Sequence, residues 1–123
     1  MENLSKADLQ WNKMMDLWTE EKLESPYSEL IEYLNGINGE GHFCHFDNVS
    51  DNGNLKDYVT TLMTILPEPL KSNIELAYKT YEINPDDISE ENEEILNNCD
   101  SVYYGNEELV NEILRKRASE VKL

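Results

Sequence analysis

Lysine and arginine are missing from two long windows of this 123-residue chain. None occurs between Lys22 and Lys56, and none between Lys79 and Arg115. The two windows nevertheless hold 17 of the 26 acidic residues. Cysteine is scarce too, with only Cys44 and Cys99. Two cysteines do not build a disulfide framework, and the first residues, MENLSKADLQW, show no basic region leading into an apolar run. The expectation is a reduced, cytoplasmic protein with both thiols packed in or near the core as small hydrophobes. No apolar run approaches the length of a membrane span. The Gly-rich phosphate loop, GxSxG and HExxH are all absent, which removes the commonest motif-borne chemistries.

The charge that is present is one-sided. The formal net charge is −16 and the pI about 4.3. Solubility of a small domain asks for a net charge of roughly 2–8. A chain this acidic repels nucleic acid and anionic membranes and attracts basic partners. Hydrophobic residues make up 39% of it, enough for one core in one domain spanning residues 1–123.

Helical periodicity dominates the pattern. Ser5 caps a first helix, with Asp8 three residues on and Leu4 opposite Leu9 as a hydrophobic staple. Trp11, Met14, Met15, Leu17 and Trp18 recur at helical spacing and read as core. Ser25 and Pro26 start a second helix, with Tyr27, Leu30, Ile31 and Leu34 on one face and Gly36 as its stop. Leu55, Tyr58, Val59, Leu62, Met63 and Leu66 make a third, stopped by Pro67. Pro69 opens a fourth, with Leu70, Ile74, Ala77, Tyr78 and Tyr81 inward. Ile88, Ile95, Leu96, Cys99, Val102 and Tyr103 suggest a fifth that ends at Gly105. Asn106 caps a sixth, with Glu107 and Glu108 in its first turn and Arg115, Lys116 and Arg117 near its end. No strand-period run competes, so the expectation is an all-α domain of about six helices.

Residues 35–54 read as one long loop, because four of the five glycines fall there. Both histidines and both phenylalanines fall there as well. His42, Cys44 and His45 are too close in sequence to converge on one ion, and no second ligand pair accompanies them, so no metal and no cofactor are expected. A small hydrolase using the His42–His45 loop remains a minor alternative, since no residue pattern orients a base or builds an oxyanion site.

The acidic segment, residues 82–112, carries the main functional candidate. On a helix, 86/90, 87/91 and 90/94 are like-charge pairs, each costing about 0.2–0.5 kcal/mol. Two readings follow: a solvated face, or a surface that meets a basic partner. A row of carboxylates on a rigid helix imitates the repeated charge of DNA. The expected contacting set is Asp86, Asp87, Glu90, Glu91, Glu93, Glu94, Asp100, Glu107 and Glu108. The expected partner is a basic protein, either a DNA-binding protein or a toxin, with no direct nucleic-acid or membrane binding. Homodimerisation is left open.

Two stretches resemble a known family. GINGEGHFCHFDN, residues 36–48, is similar to the Asn/Gly-rich, Phe-rich segment of the bacterial DNA-mimic protein 19-like family, a domain of unknown function. Asn38, Gly39, Gly41, Phe43, Phe46 and Asn48 carry that likeness, with His45 near the place of a Gln and Glu40 interrupting the paired glycines. NNCDSVYYGNEELVNEILRK, residues 97–116, is similar to the family's closing segment through Asp100, Tyr103, Tyr104, Glu107, Glu108, Leu109 and Leu114. The resemblance covers most of residues 27–118. It implies an all-helical fold and, for some members, mimicry of DNA toward a transcription regulator. The competing class is an immunity- or antitoxin-like inhibitor that covers a basic enzyme.

Overall fold

The computed structural model describes residues 4–123, and the chain there is built from helices alone. Five helices follow in order: α1 (Lys6–Thr19), α2 (Tyr27–Asn52), α3 (Leu55–Met63), α4 (Leu70–Ile83) and α5 (Glu90–Ala118). α1 starts on the capping box read from the sequence. The Ser5 hydroxyl accepts from the Asp8 N–H at 3.1 Å, and the Asp8 carboxylate accepts from the Ser5 N–H at 3.3 Å. Leu4 and Leu9, expected as a staple, both stay exposed and neither joins the core. Asn54 caps α3 through the Asp57 N–H, and Ser89 caps α5 through the Asn92 N–H. α2 begins one residue after Pro26, where the Ser25 hydroxyl donates to Glu29 at 2.5 Å instead of capping the helix.

The expected loop at 35–54 is helical as far as Asn52. Gly36 does not stop α2, and the helix is broken only at Gly41, whose φ of 79° and ψ of 175° are non-helical. The signal was hidden in the histidines. His42, His45, Phe46 and Val49 stand at i, i+3, i+4 and i+7, and the first three are buried while Val49 is half-buried.

Gly105 does not end a helix either. α5 runs unbroken for 29 residues, so the count is five helices among the described residues rather than about six. Leu96, Cys99, Tyr103, Val110, Leu114 and Ala118 keep one buried stripe in phase through the glycine. Asn106, expected as a cap, sits inside α5 and donates to the Val102 carbonyl at 2.9 Å.

α5 is the spine. It packs against α1, α2 and α4, and α3 packs against α2 and α4. The centre is formed by side chains with no exposed surface, among them Met14, Leu30, Tyr33, Phe46, Leu62, Ile74 and Leu114. The Trp/Met stripe of α1 packs on this core as expected. The α1–α5 join is fixed by Gln10, whose amide donates to the Ser119 and Val121 carbonyls at 3.1 and 3.0 Å. Among the described residues no helix is long and apolar enough to cross a membrane. Cys99 is buried as expected, but Cys44 is exposed. It lies on the face of α2 opposite the buried histidines, and that face meets solvent.

Candidate functional site

Eight of the nine acids expected to meet a partner stand clear of the core. Asp86 and Asp87 occupy the turn between α4 and α5, and Glu90, Glu91, Glu93 and Glu94 the first turns of α5; all six are exposed. Glu107 is half-buried and Glu108 exposed further along α5. Glu108 is held by the Arg115 guanidinium at 2.6 Å. The other seven make no ion pair among the described residues. The first turn of α5 recovers part of the repulsion through the helix dipole.

The acids do not form a continuous row. Along the outward line of α5, Glu90 and Glu94 are followed by Asn97, Ser101 and Gly105, then by Glu108 and Glu112. At 1.5 Å per residue, Glu94 and Glu108 lie about 21 Å apart. The surface therefore presents two acidic patches with a neutral, small-residue stretch between them.

The ninth residue, Asp100, turns inward. Its Oδ1 accepts from the His42 backbone N–H at 2.8 Å and lies 2.6 Å from His42 Nδ1. The His42 Nε2 lies 2.5 Å from the Tyr33 hydroxyl. In a neutral His42 whose Nδ1–H donates to the Asp100 carboxylate, Nε2 is the acceptor and Tyr33 the donor. Burial pushes the Tyr33 hydroxyl well above its ordinary range, with Tyr103, Cys99 and Asp100 adding to it. The break at Gly41 makes the contact with Asp100 possible: a Cβ there would stand 2.7 Å from Asp100 Oδ2. A parallel pair lies beside it, with His45 Nε2 2.7 Å from the Tyr58 hydroxyl. The Tyr103 hydroxyl is buried with no hydrogen-bond partner among the described residues.

A carboxylate, an imidazole and a hydroxyl in this order resemble a proton relay of nucleophilic catalysis. Here Tyr33 and His42 have no exposed surface, and Tyr33 is wrapped by the Tyr103 ring at 5.4 Å. The chain of bonds clamps α5 to the kink of α2. Cys44 stands outside it, on the exposed side of the helix. Among the described residues no three His, Cys, Asp or Glu side chains gather to hold a metal ion. Residues 36–48 form the knee of α2, where Asn48 donates to both oxygens of Glu40 at 2.7 and 2.9 Å.

Sequence reasoning missed the clamp because Asp100 and His42 are 58 residues apart and Asp100 sits within an acid run. Its one legible mark is position: Asp100 follows Cys99 on the apolar side of α5, a side it shares with the half-buried Glu107. Compared with known proteins, the chain matches no family model, no curated protein sequence and no solved structure.

Proposed function

We propose that this chain is a protein-interaction module that offers its acidic surface to a basic partner, in the manner of a DNA mimic. The observation that carries the reading is the absence of compensation. Seven exposed or half-exposed acids between Asp86 and Glu107 make no ion pair among the described residues, although the chain has ten Lys and Arg to spend. The packing of α5 on the core gives the five of those carboxylates that it carries a set spacing, which favours recognition of a folded basic surface over loose counterion binding. The uncompensated patch at the start of α5 suits a basic contact point on the partner, whereas Glu108 in the second patch already holds Arg115.

The test is affinity capture from lysate of the native organism at low and high salt. A parallel sample carries Glu90, Glu91, Glu93 and Glu94 changed to Gln. The expected result is a basic DNA-binding protein that leaves with salt or with added duplex DNA and is absent from the Gln sample. Capture of an enzyme whose activity is suppressed, and which added DNA does not displace, would replace mimicry by an inhibitor role. Identical protein sets on both samples would reduce the acidic face to a solvated surface.

A further inference from the structure

A recess lies away from the acidic patches, where the end of α1 meets the two halves of α2. It is open to solvent and has a volume of about 340 Å³. The Trp18 indole forms part of its wall, Glu32 and Glu40 supply its charge, and no lysine or arginine lines it. Glu40 is held in place by the Asn48 amide at 2.7 and 2.9 Å.

His45 lies in this recess and is only 4% exposed. Its Nε2 edge is turned inward to Tyr58. Its Nδ1 edge lies on the recess side, packed against Gly36, where an added Cβ would come within 2.1 Å. Among the described residues Nδ1 makes no hydrogen bond; a Glu40 oxygen is 3.9 Å away. Burial lowers the imidazole to about 4, so at neutral pH it is uncharged and does not offset the carboxylates. Burial, then Glu29, raises the Glu32 carboxyl. The recess thus gathers two carboxylates that keep contact with water, and no lysine or arginine stands beside them.

An aromatic face beside two carboxylates is the setting in which an organic cation is held, by ring quadrupole and charge together. The volume is at the small end of ligand sites. Metal coordination asks for converging ligands, which the described residues do not bring together. We propose that this recess binds an alkylammonium group, with Trp18 against the cation and Glu32 and Glu40 as its counter-ions. Beyond Trp18 and Glu32 a further recess of about 570 Å³ holds Glu21 and Ser28 and accommodates the remainder of the ligand. The same cation is offered by a free amine or by a lysine side chain of a peptide.

The experiment is a titration of the full chain with n-butylammonium chloride at constant ionic strength, following the indole N–H signals of Trp11 and Trp18 by NMR. The expected result is a saturable shift of the Trp18 signal with a millimolar midpoint, no matching shift of Trp11, and none with n-butanol. Glu32→Gln with Glu40→Gln should raise the midpoint at least tenfold, and Glu40→Gln alone by a smaller factor, with melting temperatures recorded to show that both fold. The Gln variant of Glu90, Glu91, Glu93 and Glu94 should keep the wild-type midpoint, which separates this site from the proposed partner surface. Nα-acetyl-lysine methylamide is the second probe: saturation by both amines includes peptide lysine among the ligands, and saturation by butylammonium alone restricts them to free amines. An equal response to butanol, an unchanged midpoint in the double variant, or no saturable shift overturns the proposal.

Discussion

Asp100 Oδ1 stands 2.6 Å from His42 Nδ1 and 2.8 Å from the His42 backbone nitrogen, so one carboxylate oxygen serves two donors on another helix. This joins the middle of the most acidic helix to the break in α2. Hydrogen bonds to a charged group contribute about 1.5–3 kcal/mol when their partners are sheltered. Asp100→Ala strands both donors and leaves His42 without its orienting acceptor. The expected loss is about 2–3 kcal/mol by urea unfolding, against about 1 kcal/mol for Asp100→Asn, which keeps an acceptor oxygen. An Asp100→Ala chain of wild-type stability that failed only in partner capture would return Asp100 to the contacting set.

Two glycines predict opposite signs. Gly41 has a φ of 79°, a conformation unfavourable to residues with a Cβ, and its Cβ would meet Asp100 Oδ2 at 2.7 Å. Gly41→Ala is expected to destabilise the fold by about 2 kcal/mol, combining backbone strain with disturbance of the clamp. Gly105 lies inside α5, exposed, with open space where a Cβ would go. Gly105→Ala is expected to stabilise by about 0.5–1 kcal/mol, the ordinary helix-interior difference. Thermal melts of the two variants beside the wild type check both signs.

The contrast between those glycines marks where the sequence could be read and where it could not. α1 was legible because its cap residues and its apolar stripe agree, and α3 and α4 because of their apolar stripes, although α3 ends at Met63, short of Pro67. Gly36 and Gly105 misled because a glycine stops a helix only when no buried stripe continues past it, and at both positions one does. At Gly36 the continuing stripe used His42 and His45, whose burial depends on Asp100 and Tyr58, partners that are distant in sequence. The acid windows were legible as composition. Which acid would turn inward was not, because that depends on the helix phase of α5 relative to a kink on another element.

The two cysteines should behave differently toward a thiol reagent. Cys44 is exposed, whereas burial and then Asp100 push the Cys99 thiol up to about 11. Reactivity follows the exposed thiolate, so Cys44 alone is expected to be labelled in the native chain and both in denaturant. Cys44→Ser should abolish native labelling. Rapid modification of Cys99 in the native state would show that α5 opens from α4 far more often than a closed core allows.

The pH dependence of stability should carry the mark of His45. Burial holds its imidazole at about 4 in the folded chain, against an ordinary value of about 6.5 when unfolded. Between these values the unfolded chain takes up a proton at this position and the folded chain does not. Stability from this residue is therefore complete above pH 6.5, falls as the pH drops toward 4, and is constant below that. The full shift corresponds to about 3 kcal/mol. The acids complicate the absolute curve, since protonating them relieves the repulsion of a −16 chain. A difference measurement removes that background. His45→Gln offers Tyr58 a polar partner without a titrating group. Urea unfolding of both chains from pH 7 to pH 4 should show the wild type losing about 3 kcal/mol relative to the Gln variant. Parallel curves would mean that His45 takes up its proton in the folded state as readily as in the unfolded one, and that the core beneath α2 is open to water.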